Sequence, residues 1–168
     1  MAAAIVAILT ASVAASAQRV RVSPHEIHEF DVAGCHITFD YGRPSKKGRV
    51  IWGGLVPYGR WWMPGADEAS IVTTTKTLVM GDLTMPAGAH TLYMLPDERV
   101  SKLIVSNETG QFHTVYHPNL DLGRIDLSLR TISTPVEQLT LAAEPRPGGG
   151  ALTLTWDDRE YSVAFVVK

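Results

Sequence analysis

Apolar and polar positions alternate with a period close to two along most of this chain, the pattern of strands with one buried face. Phe30 and Val32, then Ile37 and Phe39, flank Ala33-Gly34 and predict a hairpin. The β-branched runs at 71–75 and 77–80 predict two more strands, with Gly81-Asp82 as a turn signal. Residues 90–95 follow a Pro-Ala-Gly turn, and 102–106 close at Asn107. Residues 111–123, with Pro118 and Asn119, carry no clean period and read as a surface loop. The segments 124–130 and 138–141 alternate almost strictly. After a Pro/Gly loop at 145–150, the segments 151–156 and 161–166 predict a terminal hairpin turning at Asp157-Asp158. No part of residues 18–168 sustains an apolar stripe at helical spacing. About nine or ten short strands at such spacing predict an all-β domain with very little helix. Two packed antiparallel sheets, a β-sandwich of the jelly-roll kind, fit best, and a closed β-barrel is the alternative.

The alternation stops between Tyr41 and Ser70. Those thirty residues hold three of the four tryptophans, five basic residues, six glycines and three prolines. Such a segment is costly to order, because glycine loses the most backbone freedom on folding. It is therefore expected to build a surface, and the functional one.

Composition limits what that surface can serve. A net charge of −2 on 168 residues offers no global basic footprint for nucleic acid. Residues 1–17 form an uncharged apolar run ending in Ala-Ser-Ala before Gln18, the pattern of a cleaved signal peptide, although no Lys or Arg precedes it. The run is too short and Ala/Ser-rich to span a membrane comfortably. One exported domain, residues 18–168, is expected in the periplasm or outside the cell, with no transmembrane segment after cleavage. Cys35 is the only cysteine, so no intrachain disulfide can form, and it is expected as a buried small hydrophobe.

Several groups could carry chemistry. Arg43, Lys46, Lys47 and Arg49 on a Pro/Gly frame could grip a carboxylate, sulfate or phosphate, or lie as solvated charges with one Arg held in an ion pair. Their spacing is not that of a nucleotide-binding loop. Asp67 and Glu68 are adjacent and in extended chain face opposite ways, which argues against paired-carboxylate catalysis. One of them is expected to pair with Arg49 or Arg124. Trp61 and Trp62 cannot both be core in extended chain, so Trp61, near Tyr58, is expected at a cleft where it could stack on a sugar ring. Among six histidines, His90, His113 and His117 could assemble a three-histidine metal site, although no CxxC or HExxH spacing supports one. No Gly-x-Ser-x-Gly elbow is present.

Taken together, the segments 41–49, 53–59, Trp62 with 65–70, 86–88, 121–124 and 135–139 resemble, in order, a bacterial secreted family known as domain of unknown function 2911. The resemblance implies an exported β-rich domain and no established activity. Two departures stand out against it. Met63 occupies the position after the tryptophan where the family usually has Arg, and His90, His113 and His117 are particular to this chain.

These readings converge on a binding module for a carbohydrate or an anionic small molecule. Its expected ligand residues are Tyr41, Arg43, Lys47, Arg49, Tyr58, Trp61, Asp67, Glu68, Asp121 and Arg124. No cofactor is indicated. The alternative is an extracytoplasmic hydrolase or metal-dependent oxidoreductase built on Glu68 or the three histidines.

Overall fold

The computed structural model describes residues 21–168; the expected signal peptide and its cleavage point lie outside them. Among the described residues ten strands form two antiparallel sheets, with a single short 3-10 turn at Pro118–Leu120. One sheet has six strands: β1 (His25–Val32), β2 (Cys35–Gly42), β3 (Ile71–Thr74), β6 (Gly88–Leu95), β7 (Lys102–Ser106) and β8 (Asp121–Asp126), in that spatial order. The other has four, ordered β5 (Leu83–Met85), β4 (Leu78–Met80), β10 (Gly149–Val167) and β9 (Ser128–Arg146). The chain is thus the expected sandwich, and the described strands do not close into a barrel. Among the described residues no helix is long and apolar enough to cross a membrane.

Alternation explains the core. Cys35, Ile37, Phe39 and Tyr41 of β2 point inward and meet Leu139, Leu141 and Ala143 of β9 and Leu152, Leu154 and Trp156 of β10. Cys35 is buried as a free thiol. The first hairpin turns at Ala33 and Gly34, both left-handed at φ 50° and 74°, the backbone that a two-residue hairpin loop requires.

Three expectations are corrected. The terminal hairpin at Asp157-Asp158 does not exist: β10 runs unbroken for 19 residues and pairs with β9 on both sides of that point. Asp157 adopts a left-handed φ of 54°, and β9 advances four positions, from Val136 to Thr140, while β10 advances two, from Thr155 to Asp157. A bulge absorbs what the Asp-Asp pair suggests is a turn. Likewise 124–130 is not one strand, since β8 ends at Asp126 and β9 begins at Ser128, and 138–141 lies within β9. Finally, Asp121 to Gly123 belong to β8 rather than to the preceding loop.

The 43–70 excursion between β2 and β3 is partly core. Ile51, Trp52 and Val56 are buried and cap one end of the inter-sheet space, where the Trp52 indole packs edge-on to Tyr161 at 4.9 Å and donates to the Trp156 carbonyl at 3.1 Å. Its later part lies against the six-stranded sheet. The amide and carbonyl of Trp62 exchange 2.8 Å hydrogen bonds with those of Met94, so Trp62 faces the core while Trp61 and Met63 face away from it.

Candidate functional site

That short extended pairing organises the site. On the side of Trp61 and Met63 a second, smaller core forms outside the six-stranded sheet, from Met63, Ala69, Tyr93 and Ile104. Met63 is buried there, and its Sδ accepts from the Ser70 amide at 3.4 Å. An arginine could not take this place without burying a charge. The departure at position 63 therefore contributes apolar packing.

The 111–117 loop closes over the same face. Gln111 Nε2 donates to the Tyr93 hydroxyl at 2.7 Å and to Thr91 Oγ1 at 3.2 Å, and Tyr93 donates onward to the Val115 carbonyl at 2.8 Å. Burial raises the Tyr93 phenol above its ordinary value. This anchoring brings Tyr116 to Tyr93, with ring centroids 4.7 Å apart. Trp61 then packs 5.1 Å from Tyr116 and edge-on to Tyr93 at 5.9 Å, yet remains 38% exposed. Two buttressing rings hold a third at the surface.

Beside the aromatic group, β8 supplies a charged one. Asp121 Oδ2 accepts from Arg124 Nε and Nη2 at 3.0 and 2.8 Å and from the Tyr116 hydroxyl at 2.7 Å. Arg124 Nη2 also donates to the Tyr116 oxygen at 2.8 Å. Burial, then the Asp121 carboxylate, push the Tyr116 phenol up to about 12, so it stays a donor at physiological pH. Hydrogen bonding to Asp121 raises Arg124 above its already high value. Its Nη1 has no partner among the described residues, and neither does Arg60. Arg60, Trp61, Tyr116 and Arg124 line one open groove of about 600 Å³, floored by Leu95 and Ile104.

Of the expected ligand residues, the structure brings Trp61 and Arg124 to this groove, with Asp121 behind it. Arg60 and Tyr116 were not anticipated. Arg60 had a usable signal, a cation next to the tryptophan doublet, but Tyr116 had none, since its place depends on how the loop folds over β6.

The remaining expectations disperse. The Arg43 guanidinium, 15% exposed, lies away from this groove, pairs with Glu26 and donates to the Leu139 carbonyl and Thr140 Oγ1 at 3.0 and 2.9 Å. Tyr41 is fully buried and its hydroxyl accepts from the Leu141 amide at 2.9 Å. Both tie the first sheet to β9. Tyr58 packs under the Arg159 guanidinium, 5.8 Å from its ring. Asp67 turns the chain at φ 65° and offers its carbonyl to the His113 amide and Nδ1, both at 2.9 Å. Glu68 pairs with Arg21 and lies 3.4 Å from His25, rather than meeting Arg49 or Arg124. Lys47 and Arg49 border a different groove.

The three histidines of the metal alternative are not assembled. His90 is buried on β6 and donates from Nε2 to the Pro86 carbonyl at 3.1 Å, His113 is held by Asp67, and His117 pairs with Glu108 at 2.9 Å. Among the described residues no three His, Cys, Asp or Glu side chains are placed to hold one metal ion.

Comparison with curated proteins and with solved structures gives no match. The comparison with family models does, over residues 23–165, a span that includes both sheets except the last two residues of β10, the 43–70 excursion and the residues named for the Trp61 groove. The chain belongs to the family described as "Protein of unknown function (DUF2911)".

Proposed function

We propose that this domain is an extracytoplasmic binding module for a small anionic carbohydrate, a sugar ring carrying a carboxylate, held in the Trp61 groove. One observation carries the reading: a rigid, half-open indole shares a groove with two guanidinium groups. The indole offers a flat apolar face for the C–H face of a sugar ring. Arg60 supplies a planar donor pair for a carboxylate, with the bidentate geometry that arginine favours, and Arg124 adds its Nη1, unpartnered among the described residues, as a further donor.

Binding accounts for the groove better than hydrolysis. The only carboxylate in its charged cluster, Asp121, gives one oxygen to three donors, and Tyr116, at about 12, is a poor proton shuttle near neutrality. The domain is proposed to act outside the cytoplasm after cleavage near Gln18; the N-terminal mass of protein recovered from the medium or periplasm checks this.

Calorimetric titration with galacturonate and glucuronate, and with galactose and glucose as uncharged controls, tests the function. The uronates are expected to bind, the neutral sugars at least tenfold more weakly, and Trp61→Ala and Arg124→Gln each to lose tenfold or more. Equal binding of neutral and acidic sugars, or affinity unchanged in Trp61→Ala, contradicts the reading.

A further inference from the structure

Trp61 and Trp62 face opposite ways, and each borders its own groove. The groove beside Trp62 has a volume of about 510 Å³, and its lining includes Lys47, Arg49, Leu55, Trp62, His113 and Trp156. We propose that it is a second binding site, for an amphipathic anion: a carboxylate or sulfonate joined to an apolar body.

The apolar half is rigid. Trp62 and Trp156 stack with centroids 6.0 Å apart and planes within 14°. Trp156 is fixed by its indole N–H on the Glu137 carbonyl at 3.1 Å, and its own carbonyl accepts from Trp52. Leu55 is 45% exposed. Trp156 is itself buried and backs the wall; a ligand of matching shape removes the open parts of Trp62 and Leu55 from water.

The polar half is cationic and pre-positioned. Arg49 Nε donates to the Lys46 carbonyl at 2.9 Å and Nη2 to the Ser45 carbonyl, which leaves Nη1 without a partner among the described residues. Lys47 and Gly48 occupy the two centres of a tight turn closed by a 3.0 Å hydrogen bond from the Arg49 amide to the Lys46 carbonyl, with φ of 48° and 71°. Asn, Asp or Gly is the usual first residue of such a turn, since a left-handed backbone disfavours other side chains. Here a lysine takes the place, and its ammonium has no partner among the described residues. Glu137, the carboxylate at this turn, holds the turn backbone by accepting from the Lys47 amide through Oε1 at 2.7 Å. Strain kept at an exposed cation beside an apolar wall is the pattern of a functional residue. His113, also on the lining, is fixed by its Nδ1–H donating to the Asp67 carbonyl at 2.9 Å.

The site is independent of the Trp61 groove and stands or falls separately. The probe is 4-phenylbutyrate, with 4-phenylbutan-1-ol as its uncharged counterpart, followed by calorimetry and by the four indole N–H signals in a ¹⁵N NMR spectrum. We expect phenylbutyrate to bind at least tenfold more tightly than the alcohol and to move the Trp62 signal while leaving Trp61 in place. Lys47→Asn is expected to weaken binding at least tenfold without lowering the melting temperature, because Asn accepts the left-handed backbone. Arg49→Gln, outside the strained position, is expected to weaken it similarly, and Trp61→Ala to leave it unchanged. Equal affinity for acid and alcohol, a shift confined to Trp61, or full binding by both Lys47→Asn and Arg49→Gln overturns the proposal.

Discussion

Arg43 shows how one side chain can look like a ligand residue and serve the fold. Its guanidinium is shared by Glu26 on β1 and by Leu139 and Thr140 on β9, so it spans the two sheets. Arg43→Ala strands the Glu26 carboxylate and two acceptors; a loss of about 2–3 kcal/mol in urea unfolding is expected, and under about 0.5 kcal/mol is contrary. The same contact sets a pH dependence. The hydrogen bond from Arg43, then that from His28, holds the Glu26 carboxyl below its ordinary 4.5. A depressed carboxyl contributes stability that is present above its unfolded value and lost as pH falls through the folded one. Acid titration of the melting temperature is expected to show this loss below about pH 4.5, and Glu26→Gln to flatten it. At Gly42 the constraint is steric, since a Cβ there would lie 2.2 Å from the Ala66 carbonyl oxygen. Gly42→Ala is expected to cost about 1–3 kcal/mol by forcing the 65–70 wall away from β2.

At the level of elements, the legible parts were those whose signal is local. Alternation marks β1 and β2, turn residues bounding apolar runs mark β6 and β7, and the tryptophan doublet marks one exposed ring, which is Trp61. The long β9–β10 pair was illegible because Asp157-Asp158 and Thr134-Pro135 are turn residues by composition, whereas here they sit in bulges of a continuous ladder. Pro135 is tolerated because β9 is an edge strand. The Asp157 bulge is pinned by an ion pair with Lys46. Asp157→Val removes that pair and places a branched side chain at φ 54°. It is expected to cost about 2 kcal/mol in chemical denaturation, with Asp157→Gly costing less. Equal losses for the two substitutions contradict a backbone role.

At the scale of the molecule, the 41–70 segment is neither wholly surface nor one site. Its first half caps the sandwich with Ile51, Trp52 and Val56; its second half lies along β6 and divides two grooves between consecutive tryptophans. The aromatic and charged residues of the Trp61 groove come from 60–61, 116 and 124, and no spacing in the chain records that the 111–117 loop folds over β6 to join them. The central claim, that this groove holds an acidic sugar against Trp61, is met most directly by titrating ¹⁵N-labelled protein with galacturonate and following the four indole N–H signals. A saturable shift of the Trp61 signal that disappears in Arg124→Gln is the predicted result. A shift at other indoles only, or none at any galacturonate concentration, contradicts it.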